Sequence, residues 1–374
     1  MTSQPAAATT TPQQPAAADP GAPPGVYCPI EPAVHPQRER IEERALAWWD
    51  RFPLRAGGQE RARLVGTRAA ELMCRFAPHA QEERLQVLAQ WGYWAFRFDE
   101  QVCAAPEVNH RPAAFLPRAG NLLQVAAHPR QDVAEDRFAA AQGDLSRGLR
   151  RLGATPTQLR RWVEGHRAWY FAVAVEMSRL QSGAVPTVND YLTTRLYSTG
   201  AKPVTAVLDF LHGRELSEHQ YNDPAVRALT ELTFFIGALD NDLQAPGREG
   251  RHEQHGVDIL SVLLHEDGGS TADAVHKTVA LRDRATLRFL QLRRKVLLRA
   301  GPALRQYLTS LGHMIRGNLD WGAGTPRCAP VDATAAAEGT GAGRLAVLTG
   351  RPGHEEAEPL PYPVARWWWG TELG

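Results

Sequence analysis

Cysteine is scarce in this chain, and the four present, Cys28, Cys74, Cys103 and Cys328, lie far apart. They form neither a C-x-x-C metal or redox site nor a dense disulfide framework, which leaves free thiols in a reducing cytosol. Long hydrophobic runs are missing too: no apolar stretch approaches the roughly 18 uninterrupted residues of a membrane helix. The N-terminus has no basic segment followed by an apolar one, so no export signal is read there. An excess of one charge is also lacking, with 42 Lys and Arg against 41 Asp and Glu. Read as mixed along the chain, these charges offer no footprint for nucleic acid or anionic lipid. Strand signals and internal repeats are nearly absent. A small ligand and a soluble, cytoplasmic protein are expected.

Within the 374 residues, 1–30 are almost entirely Ala, Pro, Thr, Gln and Gly. Such a composition cannot bury enough apolar surface to offset chain entropy, so this leader is expected to stay disordered, as a spacer or a docking peptide. From Pro36 the texture changes to long helical patterns. Helices are expected near 58–77, 81–103, 132–152, 156–181, 187–197, 203–213, 223–245, 254–265, 270–299 and 302–321, after a first one containing Ile41, Leu46, Trp48 and Trp49. Several are apolar around much of their circumference, as in Trp169, Tyr170, Phe171, Val173 and Val175, and belong inside a bundle. The expected architecture is one all-α domain over 31–328. Residues 329–374 return to Ala and Gly before Trp367-Trp368-Trp369, and are expected to be mostly disordered, with the Trp triplet either docked back or free.

Four constellations carry chemistry. An aromatic helix ends in Asp99 and Glu100, and a second apolar run ends in Asp240-Asn241-Asp242. Hard cations such as magnesium take carboxylate and amide oxygens and complete their shell with water and phosphate, so two such clusters facing one cavity would recruit a metal-bound diphosphate. Arg195 precedes a Ser198-Thr199-Gly200 break, and Arg327 closes the last helical segment. An arginine fork matches phosphate oxygens, although either could equally serve a structural ion pair.

In this order and spacing the four pieces resemble the bacterial class I terpene cyclases, from about Tyr27 to Arg327. The resemblance implies a class I helical bundle that ionises an isoprenoid diphosphate and cyclises the resulting cation. It places Asp99 and Glu100 on the aspartate-rich metal motif, and Asn241, Ala245 and Glu249 on the second metal motif, beside Asp242. It places Arg195 on the diphosphate-sensing arginine, Arg248 on the basic residue of the second motif and Arg327 on the arginine of the terminal Arg-Tyr pair. Up to three magnesium ions would bind with the substrate, and Trp94, Phe98, Trp169, Phe234 and Trp321 would line the pocket and face the cation. The leader and Val26-Tyr27-Cys28-Pro29 look most like the 2-methylisoborneol synthase subgroup. That likeness implies geranyl, 2-methylgeranyl or farnesyl diphosphate as substrate and makes residues 1–30 a candidate encapsulin-docking tag, removable without loss of the fold. A homodimer stays open.

The motifs depart from the family pattern. Cys103, Ala104 and Ala105 stand where further acids are expected, Ala245 has no side-chain oxygen, and Cys328 replaces the tyrosine of the terminal pair. Pro246 tends to end the helix that would carry Glu249. A non-catalytic relative that binds isoprenoids or assists an assembly is therefore the alternative.

Overall fold

The computed structural model describes residues 25–52, 58–103, 108, 111–129, 136–244, 257–325, 345–351 and 358–373. In chain order these form β1 (Gly25–Tyr27), α1 (Arg38–Asp50), α2 (Gly58–Gly66), α3 (Ala69–Phe76), α4 (Glu82–Phe98), α5 (Pro112–Ala127), α6 (Arg137–Arg151), α7 (Pro156–Ser182) and α8 (Val188–Ser198). They continue with α9 (Ala201–Thr205), α10 (Leu208–Leu211), α11 (Glu218–Asn222), α12 (Pro224–Gln244), α13 (Ile259–Asp267), α14 (Thr271–Arg299), α15 (Pro302–Gly324), β2 (Ala346–Leu348) and α16 (Pro363–Arg366). The fold is all-α, as expected. Its starts are written in local chemistry: Thr155 and Gln158 cap α7 reciprocally, with Pro156 at its first position, and Ser270 with Asp273 does the same for α14.

The central helix α12 is apolar around most of its girth and packs on both α14 and α15, while α4 packs on α1, α3 and α6, and α7 on α5, α8 and α9. Between α4 and α7 lies an aromatic core. Trp94 stacks on Phe98 at 5.0 Å, Phe98 meets Trp169 at 5.6 Å, and Trp91 meets Trp162 and Trp169 edge-on. His166 sits fully buried within it, accepting from the Trp91 indole N–H at 2.9 Å while its other nitrogen lies 2.8 Å from the Trp162 carbonyl. That carbonyl can only accept, so the network assigns the proton to Nδ1 and leaves the ring neutral.

Burial drives the His166 pKa down to about 4, against the 6.5 of an exposed imidazole. Between those values the unfolded chain takes up a proton that the folded chain refuses, so this contribution is complete above pH 6.5 and is lost as pH falls toward 4. Compared with a His166→Phe variant in urea unfolding, the wild type is expected to lose about 2 kcal/mol of stability between pH 7 and pH 5. A pH-independent difference between the two proteins would show that His166 is not buried neutral.

Two expectations need correction, and one open alternative is decided. The helix α5 is absent from the sequence reading because Pro112 and Pro117 interrupt its pattern; Pro112 stands at the helix start, where no backbone donor is needed, and Pro117 lies inside. Next, the boundaries at 30 and 328 do not mark the edges of the packed structure. Gly25–Tyr27 pairs in parallel with Ala346–Leu348, and Tyr27 accepts from the buried Arg282, so removal of residues 1–30 would strip a strand and an anchor from the core. Farther on, the Trp triplet is docked: Trp368 has no exposed surface, Leu373 is buried, and Trp368 meets Phe235 edge-on at 5.3 Å. An indole triplet buries too much apolar area to stay in water when a matching groove exists.

Charge, finally, is not evenly mixed. Residues 284–319 hold seven arginines and a lysine with no acid. Much of that block serves backbone carbonyls: Arg284 donates to those of Glu358 and Pro359, Arg288 to Trp368, Arg293 to Leu308, and Arg305 to Leu297 and Ala300. Arginine forks thus hold the C-terminal segment and close the end of α14.

Candidate active site

At one end of the bundle α4, α7, α8 and α12 bring acids and an arginine together. The helix α4 widens at its end into a π turn over Asp99–Cys103, an arrangement that reorients side chains and recurs at functional sites. Asp99 is exposed there, whereas Glu100 is half-buried and accepts from Arg97 at 3.2 Å. Opposite, on α7, stands Glu176. Burial pushes its carboxyl above the ordinary range, Arg195 and the Ser198 hydroxyl pull it back, and the carboxylates of Asp99 and Asp242 push it further up. One side chain thus senses the ends of three other helices.

Arg195 is buried on α8 and donates to Asp242 Oδ1 at 2.7 Å. The other Asp242 oxygen accepts from the Tyr191 hydroxyl at 2.5 Å and the Ile259 backbone N–H at 3.2 Å. Burial raises the Asp242 pKa, with Arg195 and Tyr191 opposing it. Both oxygens accept from protein donors, and through them Asp242 holds Arg195 and the start of α13. Its neighbour Asn241, a quarter-turn away, is half-buried and accepts from Asn318 of α15 at 3.0 Å. Asp240 points elsewhere again, bonded to Arg282 at 2.8 Å. Three consecutive polar residues thus face three directions because each step turns about 100° on a helix.

The five expected aromatics divide. Trp94 and Phe98 have no exposed surface, and the Trp94 indole donates to the Phe138 carbonyl at 3.0 Å, so both belong to the core rather than to a pocket wall. Trp169 joins that core and donates to the Ser198 carbonyl at 3.0 Å, which ties it to the break after α8. Phe234 meets Tyr197 edge-on at 6.1 Å and has the Lys202 ammonium 5.9 Å from its ring. Trp321 stacks on Phe96 at 5.6 Å and 20°, and donates to the Thr67 carbonyl. Phe96, overlooked in sequence, is the aromatic one helical turn before Asp99 on the same face of α4, whereas Phe98 points about 100° away. Spacing of three from the acid was the signal for it.

Glu176 was overlooked as well; an acid seven residues after Trp169, on the buried face of α7, was its signal. Two further hydroxyls, Tyr170 OH and Thr199 Oγ1, are buried with no hydrogen-bond partner among the described residues. Each such orphan costs roughly 1–3 kcal/mol unless an occupant satisfies it. Arg248, Glu249 and Arg327, with Ala245, Pro246 and Cys328, lie outside the described residues. Among the described residues no three His, Cys, Asp or Glu side chains form a cage for a metal. Asp99 and the Asn241 amide are hard oxygen donors at the ends of two helices. That donor chemistry suits a magnesium ion completed by water and substrate phosphate.

Comparison with known proteins places the fold in a family. A sequence profile described as terpene synthase family 2, C-terminal metal binding, matches residues 90–287. The chain is 32% identical over 351 residues to spiroviolene synthase of Streptomyces violens, covering 94% of this chain and 97% of that one. The crystal structure of the SVS_A2 protein from ancestral sequence reconstruction superposes with a TM-score of 0.79 at 37% identity, over 94% of this chain and 99% of the other. The 2-methylisoborneol synthase of Streptomyces coelicolor A3(2) gives a TM-score of 0.75 at 18% identity over 83% and 99%, a likeness of fold alone.

Proposed function

The chain belongs to the class I terpene synthase family, a terpene cyclase acting on isoprenoid diphosphates, and from that premise we propose that it ionises its substrate where Asp99, Glu176, Arg195 and Asn241 converge. The observation that carries this reading is the buried pair of Arg195 with Asp242 at 2.7 Å, which fixes an arginine between α8 and α12 beside Asn241.

Asp99 and Asn241 would hold the metal, with Glu249 joining them as the family resemblance implies; up to three magnesium ions is the finer proposal. Bound there, the metal supplies charge neutralisation of the diphosphate. Arg195, fixed in place by Asp242, donates its fork to the leaving group, and Arg248 and Arg327 take the same role by resemblance. The carbon–oxygen bond breaks heterolytically, the electron pair leaves with the diphosphate, and an allyl cation remains. Phe96 and Trp321 offer stacked ring faces on the Asp99 side of α4, and aromatic faces stabilise a cation without adding to it. The substrate's own double bonds then close the rings, while the packed apolar core around them excludes water.

The test incubates the purified protein with geranyl, 2-methylgeranyl and farnesyl diphosphates, with and without magnesium, and reads products by gas chromatography with mass detection. A cyclic hydrocarbon or alcohol that requires the metal is expected. Asp99→Asn should lower turnover about a hundredfold or more. A well-folded wild type that turns over none of the three would sink the proposal and favour an isoprenoid binder. Docking to an encapsulin shell rests on the leader's composition alone, and a homodimer on no described residue; both stand as proposals. Co-purification of shell with and without residues 1–24, which spares β1, tests the first.

A further inference from the structure

The helix that carries Arg195 is short and is tied down from outside the site. At 11 residues α8 is below the length at which a helix holds itself, and the left-handed Gly183 and Gly200 bracket the segment that contains it, so its position depends on tertiary contacts. One of those contacts comes directly from the C-terminal segment and a second reaches it through Glu231. In the first turn of α8, Asn189 Oδ1 accepts from the Val364 backbone N–H at 3.0 Å. In its last turn, the Tyr197 hydroxyl donates to Glu231 at 2.9 Å, and the other Glu231 oxygen accepts from the Trp368 indole N–H at 3.1 Å.

Glu231 belongs to α12, which also bears Asn241, so a single carboxylate joins the segment, α8 and α12. The segment itself is well held: Arg288 donates to the Trp368 carbonyl at 2.7 Å, Arg284 to those of Glu358 and Pro359, and the Trp368 ring packs on Phe235. Arg195 lies between the two tied ends of α8. We propose that Trp368 is a positioning residue for the reaction: residues 358–373 form a strap that, through Trp368, Glu231 and Tyr197, sets α8 and thereby the reach of Arg195. This rests on the function proposed above for Arg195.

Trp368→Phe keeps an aromatic ring against Phe235 while removing the indole donor together with part of the ring, and Tyr197→Phe removes the other donor to the same carboxylate with its ring retained. The exposed Arg366→Ala, on the same segment, is the control. In the full-length chain, hydrogen exchange at amides 188–198 should accelerate about tenfold in each Phe variant, the loss expected for one hydrogen bond onto a charged acceptor, with the rest of the chain unchanged. Turnover should fall by a similar factor with KM little altered, because binding contacts remain while the arginine is less well aimed. Exchange at 188–198 equal to the control, a rise spread over the whole chain, or an unaltered kcat would each overturn the proposal. If the wild type itself makes no product, the function of the site fails, and the exchange comparison still decides whether the strap holds α8.

Discussion

Replacement of Arg195 by alanine is expected to lower kcat/KM by about 10²–10³-fold, the effect typical of removing one preorganised donor from a developing negative charge. The same change strands Asp242, whose side chain is 1% exposed. Breaking a buried pair by removing one partner costs about 3–5 kcal/mol, so part of the activity loss could arise from unfolding. Two companions separate the effects. Arg195→Lys keeps a charge but not the fork, and should retain more stability than activity. Asp242→Asn leaves the arginine in place without its fixed acceptor, and should cost activity while the protein still melts cooperatively. Steady-state kinetics and thermal unfolding on all three make the comparison. Wild-type turnover by a folded Arg195→Ala protein would remove this arginine from the mechanism.

A comparable loss of stability is expected away from the site, at Arg282. This guanidinium is wholly buried and donates to Asp240 at 2.8 Å, to Thr286 at 3.1 Å, to Asp283 at 3.2 Å and to the Tyr27 carbonyl. It thereby joins α12, α14 and the N-terminal strand. Arg282→Met is expected to destabilise the fold by about 3–5 kcal/mol, seen as a lower urea midpoint at unchanged slope. Burial already raises the Asp240 carboxyl, with Arg282 opposing it. Without the arginine the folded pKa rises further above the unfolded value, so the folded state binds the extra proton as pH falls. The deficit should therefore narrow as pH drops toward the ordinary carboxylate range. Joining Asp240→Asn to Arg282→Met should recover part of the loss at neutral pH. A single variant as stable as the wild type would mean that the buried pair contributes nothing net.

Much of the fold was legible in the chain because helix periodicity and caps act over a few residues. The pattern at 270–299 became Thr271–Arg299 and that at 156–181 became Pro156–Ser182. Legibility failed where a rule of thumb met its exception. Prolines hid α5, and the Ala/Gly-rich surroundings left the docking of Trp368 open, because it depends on a groove that α12 and α14 build elsewhere in the sequence. The site was half legible. Asp99 and Arg195 could be found because each ends an apolar helix. Which partner each of Asp240, Asn241 and Asp242 would take could not, since adjacent residues differ only in rotation about α12.

The amino-acid sequence by itself determined the all-α class, the limits of the long capped helices such as Pro156–Ser182 and Thr271–Arg299, and the family, for these follow from local propensity, periodicity and motif spacing. The tertiary structure alone decided that Asp242 serves Arg195, that Arg282 ties Asp240 to Tyr27, and that the C-terminal segment reaches α8. Each of these depends on partners dozens to hundreds of residues apart. Only packing sets such contacts, because helix rotation and the burial of charge are settled by the whole core and not by neighbours in the chain.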